Sequence, residues 1–515
     1  MDKSLSIVLI LCLIYSNINL ITPIFNCRDF QIVATDNGFS STNINFKGTD
    51  INSNITFSGF YDFLTQYNNS TELEKPTIIA NYISWQETDG GGFPAIQNDS
   101  HVVFIYYNST ALIESCAIVG DFSAYNAINM TKLDPNYSFF YYSLSNNVLQ
   151  FPHTSFNFMV EPTTRIDYFF IINGEDVWLT DPRNHRQSPY TFGQNASELA
   201  MPLFQQPLEI IHHPDIPHGT LTTLQTPWHN PNVQVYLPPG YDPYGSYPTM
   251  YTGDGSYYIT LMSAIDILDN MIADQRITPL IAVFIDHKDA DPNDPNNIFS
   301  RIDWYNCNPE YLTYLDSLVT YIDENYATIP SPYARLHLGL SISALASAYV
   351  ILERPKTFKL LASQSGSYSK GEDSYEIMTK YTHAPGSLDL KTWFSVGTYE
   401  NNNNFNTPMV DDTKNMVSIC TAKGWHTETI YNPECHSFGA WRHILDDMLE
   451  YFFSEPITKL PTSSQMQTTV DTSVTQITTS TSIIQESTIF PFIFVLLPLI
   501  VLIYSRKRNK EREIS

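Results

Sequence analysis

The 515 residues suffice for two or three domains, and a hydrophobic content of 43% is ordinary for chains that bury real cores, which excludes a disordered protein. The 27 Lys and Arg against 53 Asp and Glu give a formal charge of -26, and five of the basic residues fall in the last ten positions, so the rest is more acidic still. That balance excludes nucleic acid as a partner.

After Lys3, residues 5–15 form an apolar run too short to span a bilayer, which predicts a signal peptide over residues 1–20. With Cys12 removed alongside it, Cys27, Cys116, Cys307, Cys420 and Cys435 remain, a number compatible with two disulfide bonds and one free thiol in an oxidising compartment. No pair has the close spacing of a zinc site, so neither a metal nor another cofactor is assigned. Residues 28–100 are Asn-rich with weak periodicity and yield no element. Asn-x-Ser/Thr sequons, the acceptors of N-glycosylation, begin at Asn54, Asn68, Asn69, Asn98, Asn108, Asn129, Asn136 and Asn195, all ahead of the region with candidate chemistry.

Over residues 101–215, short β-rich runs at 102–107, 113–119, 138–144, 156–160 and 166–172 alternate with turns of Asn, Asp, Gly and Pro, a spacing that predicts an antiparallel sandwich. Residues 168–184, together with Val119-Gly-Asp-Phe-Ser123, resemble the immunoglobulin-like early-set modules that precede many carbohydrate-active enzymes and enterochelin-type esterases. One reading of such a module is a carbohydrate-binding unit that targets an enzyme to glycans.

From 216 to 457 the pattern changes to apolar strands at 233–237, 249–252, 280–285, 336–338, 360–364 and 393–396, with helical stretches at 259–273, 309–326, 344–354 and 411–423 between them. This alternation predicts an α/β fold, a mostly parallel sheet covered by helices on both faces. Chemistry in such sheets collects at the carboxyl ends of the strands.

One strand end stands out. In Gly339-Leu-Ser-Ile-Ser343 a short strand runs into Ser341, and a helix rich in small residues follows. This is the layout of a nucleophile elbow, which lifts a Ser hydroxyl above the sheet. Its bland alternative is a Ser cap at a strand-to-helix turn. A base must reach the hydroxyl, and in this architecture it comes late, on a loop after the last strand. His436 lies there; His337 falls inside the strand before the elbow, His212, His213 and His218 on the connection between domains, and His443 in the closing helix. The third member should be a carboxylate past strand 393–396; Glu400 is the first, with Asp411 and Asp412 in reserve at a helix start. For the oxyanion, backbone N–H groups are expected from Ile342 and from the loop after strand 249–252, where Gly255 or Ser256 would donate.

Behind this block, residues 461–487 are dominated by Ser, Thr and Gln and read as an extended stalk. An uncharged apolar run over 488–505 predicts a transmembrane helix, and the basic tail 506–515 orients it as a single-pass type I span. The expected location is the secretory pathway, at the cell surface or an endolysosomal membrane.

Several motifs share one order: Val235-Tyr-Leu-Pro-Pro-Gly-Tyr-Asp242, Tyr251-Thr-Gly-Asp-Gly255, 279–286, Arg301-Ile-Asp303, the Ser341 elbow, Ser363-Gln-Ser-Gly-Ser367, and His436 followed by Trp441-Arg442. Together they resemble the esterase family that includes esterase D, enterochelin esterases and feruloyl esterases, α/β-hydrolases in fold. The resemblance implies hydrolysis of a small-molecule or glycan-linked acyl ester by a Ser341-His436-Glu400 triad, with Arg301 helping to shape the pocket. Two positions depart from the family pattern: Ser343 and Cys435 stand where glycine is usual. The competing reading is a surface protein that keeps the hydrolase fold for binding or adhesion without its chemistry.

Overall fold

The computed structural model describes residues 56–454, except 146, 152–153, 191–192, 226, 229, 291–296, 370–374 and 401–407. The expected signal peptide, Cys27, Asn54, the stalk, the apolar run 488–505 and the basic tail all lie outside the described residues. Among those described, no helix is long and apolar enough to cross a membrane.

The Asn-rich stretch folds in its second half as two helices that the sequence pattern did not disclose, α1 (Phe60–Asn68) and α2 (Lys75–Thr88). They pair through rings, with Phe63 stacked on Tyr82 at a centroid distance of 4.2 Å. Strands β1 (Ala95–Asn98), β2 (His101–Asn108), β3 (Cys116–Gly120), β4 (Ile128–Asn129), β5 (Thr131–Lys132), β6 (Ser138–Ser145), β7 (Asn147–Phe151), β8 (Thr154–Phe158), β9 (Arg165–Ile172), β10 (Gln187–Pro189) and β11 (Asn195–Ala200) follow. One antiparallel sheet runs β1-β2-β6-β5, a second runs β10-β11-β9-β3-β4, and β7 pairs with β8 as a hairpin. The period of two along β9 assigns its faces. Ile166, Tyr168, Phe170 and Ile172 join Val102, Phe104, Phe140 and Leu144 in a core between the two sheets, which makes the module a β-sandwich. Arg165 and Asp167 point out of the opposite face.

The C-terminal block comprises β12 (Thr220–Thr223), β13 (Val233–Leu237), β14 (Thr249–Gly253), α3 (Gly255–Thr260), α4 (Ala264–Ala273), β15 (Ile281–Ile285), α5 (Asn297–Tyr305), α6 (Pro309–Asn325), β16 (Arg335–Leu340), α7 (Ile342–Glu353), β17 (Leu360–Gln364), α8 (Tyr375–His383), β18 (Lys391–Gly397), α9 (Met409–Ala422), β19 (His426–Asn432), α10 (Phe438–His443) and α11 (Leu445–Phe453). Its eight strands form one sheet in the order β12-β13-β15-β14-β16-β17-β18-β19. The pairings of β13 with β12 and with β15 are antiparallel, and all the others are parallel. Alternate residues serve opposite faces: Tyr251 and Leu361 pack with α6, α7, α8 and α9, while Met250 and Leu360 pack with α3, α4, α10 and α11.

Two expectations are corrected. The helix expected over 259–273 is two helices, because Ser263 takes the left-handed conformation (φ 53°) and ends the run after Thr260. The expected disulfides do not form among the described cysteines: no bond joins Cys116, Cys307, Cys420 and Cys435 to one another. Cys116 and Cys435 belong to the core of the sandwich, and Cys420 and Cys307 to the core on the α9 face of the large sheet. Seven of the eight sequon asparagines are described, and all of them except the half-buried Asn108 are exposed.

Candidate active site

From Ala334 to Ile351 every residue is buried save Ser341, which is half-buried at the carboxyl end of β16. Its backbone has φ 54° and ψ −117°, a region that a non-glycine residue occupies only when its surroundings impose it. Ser341 N–H donates to the Gln364 carbonyl at 2.8 Å, and Ser367 N–H donates to the Ser341 carbonyl at 3.1 Å. The turn is also tight behind Ser341: a Cβ on Gly339 would lie 2.2 Å from the Ser343 carbonyl oxygen, so only glycine fits there. Ser343, the first departure from the family pattern, is accommodated. Its hydroxyl accepts from Leu340 N–H at 2.9 Å and donates to the Leu340 carbonyl at 2.8 Å, and Gly253 on β14 lies opposite its Cβ.

The structure brings Ser341, His436 and Glu400 together. His436 Nε2 is 2.9 Å from Ser341 Oγ, and His436 Nδ1 is 2.7 Å from Glu400 Oε2. An ionised carboxylate only accepts, so Nδ1 carries the proton and Nε2 is left to accept from the Ser341 hydroxyl. Glu400 is 1% exposed, and its other oxygen accepts from Ser365 Oγ at 2.7 Å and from Gly397 N–H at 2.8 Å. These donors offset the cost of burying the charge. Trp441 closes the back of the site. Its ring meets the His436 ring edge-on at 4.7 Å, and its indole N–H donates to Ser365 Oγ at 2.8 Å. The reserve carboxylates lie elsewhere: Asp411 is exposed on α9, and Asp412 accepts from Ser369 Oγ.

Ile342 and Gly255 each open a helix, where an N–H has no intrahelical acceptor. Ser256 differs from the expectation, because its N–H donates to Asp286 Oδ1 at 2.8 Å and its hydroxyl to Asp286 Oδ2 at 2.6 Å. That amide is committed to a carboxylate. Asp254, in the left-handed conformation (φ 57°), sets the loop; Arg301 grips its carboxylate with two bonds of 2.7 Å, one from Nε and one from Nη2. Arg301 is therefore buried and acts on the loop before Gly255. Among the described residues, no group of three or more His, Cys, Asp or Glu is arranged to hold a metal ion.

The other histidines have structural surroundings. His337 is fully buried, with Nδ1 2.8 Å from Ser347 Oγ and Nε2 2.9 Å from Tyr311 Oη. Ser347 Oγ spends its proton on the Ser343 carbonyl, so it accepts from Nδ1 and Tyr311 donates to Nε2. Burial pushes the His337 imidazole down to about 3. His443 pairs with the buried Glu434.

Ser365 and Trp441 stand within the family-like motifs, but nothing in the sequence indicates their contacts, nor that Gly253 partners Ser343 or that the sandwich borders the site. Cys435, the second departure, packs with Tyr399 into the sandwich core, and burial raises its thiol pKa.

Residues 225–452 match the family model described as "Putative esterase". An uncharacterized protein of Bacillus subtilis is 27% identical over 178 residues, 33% of this chain and 69% of that protein. An endo-1,4-beta-xylanase/feruloyl esterase of Xylanibacter ruminicola is 25% identical over 257 residues, which are 46% of this chain and only 32% of that protein. Among solved structures, the ferric enterobactin esterase of Salmonella typhimurium superposes with a TM-score of 0.55 at 14% identity, covering 72% of this chain and 98% of that one. At that identity the likeness shows the mixed α/β fold, which here spans both the sandwich and the C-terminal block.

Proposed function

We propose that this esterase-family region is the catalytic domain of a serine ester hydrolase, with Ser341 as nucleophile, His436 as general base and Glu400 as the carboxylate that orients it. The observation that carries this is the unbroken relay from the half-exposed Ser341 hydroxyl through His436 to a buried Glu400, at 2.9 and 2.7 Å. Ser341 Oγ attacks the acyl carbonyl carbon as Nε2 takes its proton, and the N–H groups of Ile342 and Gly255 face the developing oxyanion. His436 then hands the proton to the departing alcohol oxygen, leaving an acyl-enzyme. A water molecule, deprotonated in turn by Nε2, releases the acid and restores Ser341. Glu400 keeps the Nδ1 proton in place throughout.

The substrate is a small-molecule or glycan-linked acyl ester, a reading supported by the named activities of the relatives. The N-terminal module is read as immunoglobulin-like, supported by its two packed antiparallel sheets. Export and anchoring through 488–505 are supported by the run's apolar length and by Arg506, Lys507 and Arg508 directly after it. In the full-length chain a fluorophosphonate probe should label the protein in a way that requires the Ser341 hydroxyl. Equal labelling of wild type and Ser341→Ala would remove the esterase reading and leave the binding-protein alternative.

A further inference from the structure

The boundary between the sandwich and the C-terminal domain runs behind the catalytic base. Arg165, the first residue of β9, is fully buried. Two of its nitrogens serve its own module: Nε donates to Glu198 at 2.9 Å and Nη2 to Asp167 at 2.5 Å. The third, Nη1, crosses to the C-terminal domain and donates to Ser437 Oγ at 3.0 Å. Ser437 is the neighbour of His436 and caps α10, accepting from Ala440 N–H at 3.4 Å. The backbone follows the same path, because Arg165 N–H donates to the Pro433 carbonyl at 3.3 Å.

The fit allows no slack. A Cβ on Gly439 would come within 2.0 Å of Arg165 Nη2, so the guanidinium fills the space that glycine leaves in the first turn of α10. A cation is unfavourable at that end of a helix, and Asp167 and Glu198 offset it. The orienting carboxylate is held from the same side. Thr164 Oγ1 lies 2.8 Å from Tyr399 Oη, which donates to the Met159 carbonyl at 2.5 Å, and Tyr399 precedes Glu400. Residues on either side of the base (Cys435 and Ser437) and the residue before its carboxylate are thus all gripped by the sandwich.

We propose that Arg165 is a positioning residue for the proposed reaction: reaching out of the sandwich, it fixes the turn that carries His436, so that the acid–base pair is built from both domains. This rests on the esterase reading for its purpose but not for its geometry. Arg165 touches neither Ser341 nor the imidazole in the contacts described above. It sets where the imidazole stands, and a misplacement of about 1 Å in such a group costs roughly 100-fold in rate.

The deciding test reads the position of His436 directly, in the full-length chain, through the low-field NMR resonance of its Nδ1 proton in the bond to Glu400, assigned by its loss in His436→Gln. Arg165→Met removes the fork; Ser437→Ala removes its acceptor, and with it the cap on Ala440 N–H, but leaves Arg165 paired with Asp167 and Glu198, so it remains informative if Arg165→Met fails to fold. Both folded variants should lose or shift that resonance and move the imidazole titration. Fluorophosphonate labelling should slow by roughly 100-fold through its maximal rate, with the probe concentration at half-maximal rate nearly unchanged. An unmoved resonance and titration in folded Ser437→Ala overturns the proposal. A wild type that shows the resonance but is not labelled overturns the esterase reading instead, and the same NMR comparison still decides the clamp.

Discussion

Ser343, in the first turn of α7, faces Gly253 at the end of β14: a Cβ added at Gly253 would approach Ser343 Cβ to 2.8 Å. The space that a glycine usually leaves inside the elbow is found instead on the adjacent strand. Gly253→Ala should therefore destabilise the protein by about 1–3 kcal/mol through overpacking. Ser343→Gly should cost about 1 kcal/mol for its two lost bonds to Leu340. The pair combined should cost less than the sum, since removing one side chain makes room for the other. Urea unfolding of the four chains measures this. Strictly additive costs would show that the two positions do not compete for one space.

Glu400→Gln tests the relay more sharply than truncation. Oε1 receives two donors, from Ser365 and Gly397, so the carbonyl oxygen of the amide must occupy that side. The NH2 group then faces His436 Nδ1 and forces the proton to Nε2, where it blocks uptake of the Ser341 proton. A fall in kcat on the order of 10⁴-fold, the effect of the corresponding change in a serine-protease triad, is expected with little change in melting temperature. Activity within tenfold of wild type on a simple aryl ester would sink the assignment of Glu400.

His337 gives the stability a pH dependence that can be isolated. The folded chain keeps this imidazole neutral down to about 3, whereas an unfolded one takes up a proton near 6.5. Between those values the unfolded state binds more protons, so stability is full above about 6.5 and falls as pH drops toward 3. Other groups titrate in the same window, so the comparison is between chains. The loss of stability on going from pH 7 to pH 5 should be smaller in His337→Gln by about 2 kcal/mol. Equal losses in both chains would place the acid sensitivity elsewhere.

The strand-turn-helix at Ser341 was legible because its sequence is unusual: a short strand up to Gly339, then a helix whose first turns are rich in Ala and Ser. His436 was legible only by its late place in the chain. Helices α1 and α2 were not read from the sequence, although their buried residues, Phe60, Phe63 and Tyr67 in α1 and Ile78, Ile79, Tyr82 and Ile83 in α2, recur at helical spacing; both are short runs in an Asn-rich background, and the buried face of α2 also includes the polar Gln86. Gln86 spends its amide on the carbonyls of Gly90 and Gly92, at 2.7 and 2.5 Å. A polar residue that is buried and satisfied by backbone cuts the apolar period of α2 short by one turn. The work of Ser256 was likewise hidden: nothing in Asp254-Gly-Ser256 announces that Asp286, thirty residues on, will claim its amide. Expected disulfides failed for a simpler reason, since a count of cysteines says nothing about where each side chain packs.

The contacts between Arg165 and Ser437, and between Thr164 and Tyr399, join parts of the chain more than 230 residues apart. Contacts so distant in sequence form late, because the loop they close must be ordered first. During synthesis the sandwich emerges and can fold while the segment bearing His436 is still unmade. On the proposed reading the chain then holds Ser341 without His436 or Glu400, and competence would arrive in one step, when the segment that carries them docks onto the sandwich.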